Sequence, residues 1–147
     1  MTLDRCTIMA GAAALPIPAE EGAQAPEDRY ARGLAQLEKV SGPHGEAVIQ
    51  SLDDIAPDLG RYIVEFAYGD VFARPGLDLK TREIATVAAL TAMGNARPQL
   101  KVHMKAAMRV GVSQTELIET ILQMIPYAGF PSALNAVAVA REVFAEP

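Results

Sequence analysis

Two residues able to move protons interrupt apolar helical stripes in this 147-residue chain: Glu83 and His103. Glu83 shares a face with Leu79, Val87 and Leu90, and His103 shares one with Leu100, Ala107 and Val110, each at three- to four-residue spacing. Gly94-Asn95 lies between the two stripes and can fold their helices into an antiparallel pair. Glu83 stands 11 residues before Gly94 and His103 nine after it, about 16 and about 13 Å along helices rising roughly 1.5 Å per residue. The spacing therefore predicts that both side chains lie at similar depth. A carboxylate held against an imidazole in an apolar cleft can pass a proton to or from a substrate. The same spacing also fits a Glu–His hydrogen bond that only fixes helix packing.

A second group, Arg74, Lys80 and Arg82, surrounds Pro75-Gly76-Leu77-Asp78. It stands at a helix start, where free N–H groups also favour anions. Such a cluster can grip a carboxylate, with arginine giving bidentate contacts. Alternatively it forms surface salt bridges with Asp70, Asp78 or Glu65. Lys101, Lys105 and Arg109 repeat every four residues and read as a solvated basic face. His44 sits in a Gly/Pro loop and reads as a surface residue, and neither histidine has a metal-ligand spacing. No GxGxxG, GxxxxGK[ST] or GxSxG pattern occurs, so nucleotide chemistry and serine hydrolysis lack motif support.

The elements that must position these residues read as helices. Pro26 opens a first helix carrying Tyr30, Leu34, Leu37 and Val40, and Ser41 to Gly45 breaks it. A short helix from about Glu46 to Ile55 follows. Pro57 begins a third carrying Leu59, Ile63, Phe66 and Ala67. Asp78 is a candidate N-cap for a fourth helix reaching Met93 and closed by Gly94. That helix is apolar almost all round, which predicts burial on most sides, within the domain or against another subunit. Pro98 opens a fifth helix ending at Gly111. Ser113-Gln114-Thr115-Glu116 is a capping box for a sixth, and Pro131 begins a last helix to about Phe144. The fold class is all-α, a bundle of six to seven helices, and the apolar fourth helix predicts an oligomer.

Composition bounds the partners. Half the residues are hydrophobic but only 5% are aromatic, with no Trp, which suits closely packed aliphatic helices better than a sheet. A formal charge of −5 argues against nucleic acid as a partner. No apolar run approaches the roughly 18 residues that would suggest a membrane span. The single cysteine, Cys6, excludes an intrachain disulfide, a CxxC pair and a cysteine-rich zinc site. Residues 1–25 form either an alanine-rich tail or a weak signal segment with a small-x-small site at Ala23-Gln24-Ala25, leaving residues 26–147 as the single domain. A cytoplasmic location is expected, with the periplasm as the alternative if cleavage occurs near Ala25. Thiol-dependent peroxide reduction through Cys6 is a further, weaker functional idea.

The stretch Ile55 to Arg61, then Phe66-Ala67-Tyr68-Gly69-Asp70-Val71-Phe72-Ala73-Arg74-Pro75-Gly76-Leu77-Asp78-Leu79-Lys80-Thr81-Arg82-Glu83, resembles the carboxymuconolactone decarboxylase family. So do Pro98 to His103 and Tyr127-Ala128-Gly129-Phe130-Pro131, and the resemblance extends over roughly residues 27–145. It implies the all-α fold of the alkylhydroperoxidase-D group and a homo-oligomer, a trimer or hexamer, with sites near subunit interfaces. It also implies cofactor-free and metal-free loss of CO2 from 4-carboxymuconolactone or a related isomerisation in aromatic catabolism, so the partner is a small anionic lactone or carboxylate. On that resemblance His103 delivers the proton and Glu83 orients or relays it. Arg74, Lys80 and Arg82 hold anionic oxygens, and Tyr68 and Tyr127 line the pocket. The alternative is a non-catalytic oligomeric protein that binds an acidic metabolite. Two departures stand out. Ala96 and Gln99 replace the CxxC of the peroxidase branch. Glu83 resembles that branch's relay glutamate, where the well-defined decarboxylases carry a small hydroxyl residue and have Trp near Tyr68 and Phe72.

Overall fold

The computed structural model describes residues 26–146, and among them every regular element is helical. The expectations for residues 1–25, including Cys6 and the candidate cleavage site, lie outside the described residues. The helices are α1 (Pro26–Ser41), α2 (Pro43–Gln50), α3 (Pro57–Tyr62), α4 (Leu79–Met93), α5 (Arg97–Arg109), α6 (Gln114–Gln123) and α7 (Ile125–Ala145). Between α3 and α4 the chain runs on as a π-helical segment, Ile63–Phe72. Among the described residues no helix is long and apolar enough to cross a membrane.

Local chemistry sets several of these boundaries. The Asp78 carboxylate accepts a hydrogen bond from the Thr81 N–H at 2.7 Å and starts α4. Gly94 ends α4 at φ 73°, a left-handed conformation that only glycine adopts freely. Ser113 and Glu116 close a reciprocal capping box at the start of α6. Inside α7, Gly129 at φ 78° and ψ 166° breaks the helical path, two residues before Pro131.

Two expectations are corrected, and a third, burial of α4 within the domain or against another subunit, is met only in part by the chain itself. α2 begins at Pro43 rather than Glu46 and ends at Gln50, because proline at its start supplies the helical φ in advance. The segment after α3 is π-helical, so its faces follow a wider turn; Phe66 is 63% exposed while Val64, Tyr68 and Gly69 are buried. The apolar α4 is not enclosed within the chain. It buries one stripe, Glu83, Val87 and Thr91, and leaves Ala85, Ala89, Ala92 and Met93 exposed.

Two apolar cores result. The larger joins α4, α5, α6 and α7 through Val87, Leu100, Met104, Leu117, Ile121, Val139 and their neighbours. The smaller joins α1, the π segment and α5 through Leu37, Val40, Val64, Tyr68 and Ala106. Helix α5 is common to both, and His103 lies on it.

Candidate functional site

The turn at Gly94 folds α5 back along α4, and Glu83 and His103 meet as their spacing predicts. The His103 Nδ1 stands 3.0 Å from Glu83 Oε2 and 3.3 Å from Oε1. The Glu83 side chain is fully buried, and that of His103 is 22% exposed. A carboxylate only accepts hydrogen bonds, so with Glu83 in that form Nδ1 is the donor in this pair. Its second ring nitrogen, Nε2, is then the one that can meet a ligand. Nε2 accepts a proton when the ring is neutral and donates one when the ring is charged.

His103 opens onto a cavity of about 260 Å³ at the seam between α1, α2, the π segment and α5. Leu37 contributes from α1, and Gly45, Val48 and Ile49 from α2. The π segment gives Ile63, Tyr68 and Phe72, and α5 gives Pro98, Gln99, Val102 and His103. Pairing of the i→i+5 kind brings residues four to five apart onto one face, so Ile63, Tyr68 and Phe72 line up. The Ala73 N–H donating to the Tyr68 carbonyl at 3.1 Å is such a bond. The Tyr68 and Phe72 rings lie 5.1 Å apart, tilted by 34°.

The π segment is fastened to α1. Arg29 and Arg32 both bind the Asp70 carboxylate, and Arg32 also donates to the Gly69 carbonyl at 2.8 Å. The Arg29 contact holds the Asp70 carboxyl below its usual range. Close backbone approach completes the joint: a Cβ on Gly33 would stand 2.1 Å from the Val64 carbonyl oxygen.

Of the residues singled out from sequence, Glu83, His103 and Tyr68 come together here, whereas Arg74, Lys80, Arg82 and Tyr127 are not among those lining the cavity. Lys80 binds Glu116 at 2.8 Å, tying α4 to α6. Arg82 donates to the carbonyls of Leu77 and Arg74 at 3.2 and 2.8 Å and so braces the loop before α4. Arg74 is exposed on that loop. Tyr127 is 76% exposed on α7. His44 is exposed in the first turn of α2. The stripe read as a solvated face carries surface ion pairs: Lys101 and Lys105 with Glu146, Lys101 also with Glu142, and Arg109 with Glu38.

Sequence reasoning missed Ser41, which is buried and hydrogen-bonded to the Tyr68 hydroxyl at 3.1 Å. It also missed Gln99 and Val102 as cavity walls, although Gln99 precedes His103 by four positions and so shares its helix face. That spacing was the available signal.

Comparison with known proteins gives the chain's family and relatives. The profile of the carboxymuconolactone decarboxylase family matches residues 57–142, which include the π segment, α4 and α5. The chain is 39% identical over 119 residues to the 4-carboxymuconolactone decarboxylase of Acinetobacter baylyi, covering 80% of this chain and 88% of that protein. It is 34% identical over 99 residues to an uncharacterized 15.0 kDa protein of Paracoccus denitrificans, covering 67% and 74%. It is 35% identical over 80 residues to the nitrosuccinic acid decarboxylase of Metarhizium robertsii, covering 54% and 55%.

Proposed function

Since the chain belongs to the carboxymuconolactone decarboxylase family, we propose that it is a cofactor-free carboxy-lyase acting on a small carboxylated lactone. The observation that carries this reading is the buried Glu83–His103 pair opening onto an apolar cavity. Two relatives named as decarboxylases support the reaction type.

The chemistry sets three requirements. When the bond to the carboxylate breaks, CO2 leaves and an electron pair stays on carbon. A conjugated lactone carbonyl takes up that pair, placing negative charge on its oxygen. A proton then returns to carbon, and the rearranged lactone is released. The pair supplies the proton donor: His103 gives a proton from Nε2, while Glu83 holds the opposite nitrogen, fixes the ring and balances its charge. The largely apolar walls lower the local dielectric, which strengthens each electrostatic contact inside. The pair needs neither a metal nor a nucleotide for this step.

An anion-holding role for Arg74, Lys80 and Arg82 would require these side chains to turn from the loop and from Glu116 toward the cavity mouth. The exposed faces of α4 and of α7 around Phe130 and Leu134 support assembly into a homo-oligomer.

The test is CO2 release from 4-carboxymuconolactone and related carboxylated lactones, with a chelator present. Turnover is expected, and His103→Ala abolishes it while helix content is retained. Full activity in that variant sinks the assignment of His103. Saturable binding without turnover across the whole panel favours a non-catalytic protein that holds an acidic metabolite.

A further inference from the structure

The negative charge that forms on the lactone carbonyl oxygen needs a donor of its own, because His103 is committed to the proton. Three cavity-lining side chains carry polar atoms: His103, Gln99 and Tyr68. Gln99 is exposed at the start of α5, where water competes for its amide. Tyr68 is 6% exposed, so its hydroxyl acts with little competition from solvent.

We propose that Tyr68 donates the hydrogen bond that stabilises the developing oxyanion, and that Ser41 is the positioning residue that aims its hydroxyl. This rests on the decarboxylase reading given above. Ser41 ends α1 and is itself buried, and its Oγ lies 3.1 Å from the Tyr68 hydroxyl. Either oxygen can donate in that bond. When Ser41 donates, the phenolic hydrogen is left for the cavity. Two further contacts fix the ring. Phe72 packs on it at 5.1 Å, and the Asp70 clamp holds the π segment from which it projects.

Electrostatics agree with the geometry. Burial pushes the Tyr68 hydroxyl above its ordinary value, the Ser41 bond opposes this, and the charge of Glu83 adds to the rise. The hydroxyl therefore keeps its proton across the neutral range. The same Glu83 is bonded to His103, which lines the cavity together with Tyr68. A neutral donor suits the step: it binds the charged oxygen of the transition state more strongly than the neutral carbonyl of the ground state. Atoms balance without any further reactant. The bond to CO2 breaks, the electron pair moves to the carbonyl oxygen, His103 returns a proton to carbon, and Tyr68 retains its own.

The test uses the full chain and two readouts. In turnover of the carboxylated lactone, Tyr68→Phe is expected to lower kcat about 100-fold with KM changed less than about threefold. Ser41→Ala is expected to lower kcat about tenfold, again with KM held, and Ser41→Cys to recover part of that loss. The second readout needs no turnover: 4-nitrophenolate as an oxyanion probe, with nitrobenzene as its uncharged counterpart. Tyr68→Phe is expected to weaken 4-nitrophenolate at least tenfold and leave nitrobenzene unchanged. Unaltered kcat and phenolate affinity in Tyr68→Phe overturns the proposal. Equal weakening of both probes also overturns it, because that marks Tyr68 as a packing residue. If Tyr68→Phe fails to fold, Ser41→Ala carries the same two readouts. A wild-type protein inert toward every lactone refutes the decarboxylase reading, whereas the phenolate comparison still decides whether Tyr68 is an anion donor.

Discussion

The larger core, built from α4 to α7, is aliphatic and tightly filled; Leu117, Ile121, Met104 and Val87 are wholly enclosed there. The smaller core, between α1 and the π segment, has fewer enclosed side chains, includes the aromatic Tyr68, and borders the cavity. One region is held by side-chain packing and caps. The other is held by close backbone approach and a charged clamp, and it leaves space. Helix α5 belongs to both, so His103 is carried on the packed side and faces the open one. A rigid helix pair positions the acid–base groups, and the adjoining, less filled region admits a ligand.

The strongest way to break this contrast is at the backbone joint. A Cβ at position 33 would meet the Val64 carbonyl oxygen at 2.1 Å, a contact that no rotamer change relieves. Gly33→Ala is expected to lower stability by about 3 kcal/mol or more, read by thermal or denaturant unfolding. Gly76→Ala, where nothing lies within 4 Å, is the control and is expected to be near neutral. A stable Gly33→Ala protein with unchanged activity would show that the joint is not what holds the π segment.

The packed side answers to volume instead. Leu117 is fully buried in the larger core and lines no part of the cavity. Leu117→Ala is expected to cost about 3 kcal/mol by transfer and cavity terms together. Well below the melting point kcat is expected to stay within about twofold of the parent. A large fall in kcat with the fold intact would mean that the two regions are not separable.

Glu83 lies where the regions meet, and Gln preserves its shape there. Glu83→Gln is expected to lower kcat about 100-fold, which is about 2.7 kcal/mol of barrier. Its stability is expected to change by about 1 kcal/mol. A retained kcat would leave the pair with a packing role alone.

The two regions were also unequally legible in the sequence. Asp78, Gly94 and the Ser113–Glu116 box act on the backbone within a few residues, so α4 and α6 could be placed from their ends. The meeting of Glu83 with His103 followed from similar counts of residues, 11 and nine, on either side of Gly94. The π segment had no such local mark. Its pitch depends on Gly33 and Gly69 lying against another helix, at Val64 and Arg29 respectively, and on Asp70 meeting arginines some 40 positions earlier. An α-helical period therefore placed Phe66 inside, where the wider turn puts it outside. Ser41 was hidden for a related reason: it read as part of a helix-breaking loop, and its partner is 27 residues away. The cationic cluster was legible by type but not by direction, since only the fold shows that Lys80 reaches α6.

The smallest effect sharpens the contrast through acid. Lys80 and the Ser113 cap hold the Glu116 carboxyl down to about 2, and Lys105 and Lys101 hold that of Glu146 down to about 2. Both carboxylates belong to the packed side. In the unfolded chain each regains its ordinary value near 4.5 and takes up a proton there first. Their contribution is therefore present above about pH 4.5 and declines as the pH falls toward about 2. Because these groups are at the surface, the effect is modest and screened by salt. Lys80→Met removes the largest cause at Glu116, so its melting temperature is expected to fall less steeply over this window than that of the parent. At neutral pH, activity is expected to be unchanged, since Lys80 lines no part of the cavity. An unchanged acid slope would assign the low Glu116 value to the Ser113 cap alone. A loss of turnover at neutral pH would instead bring Lys80 to the substrate and draw the packed side into binding.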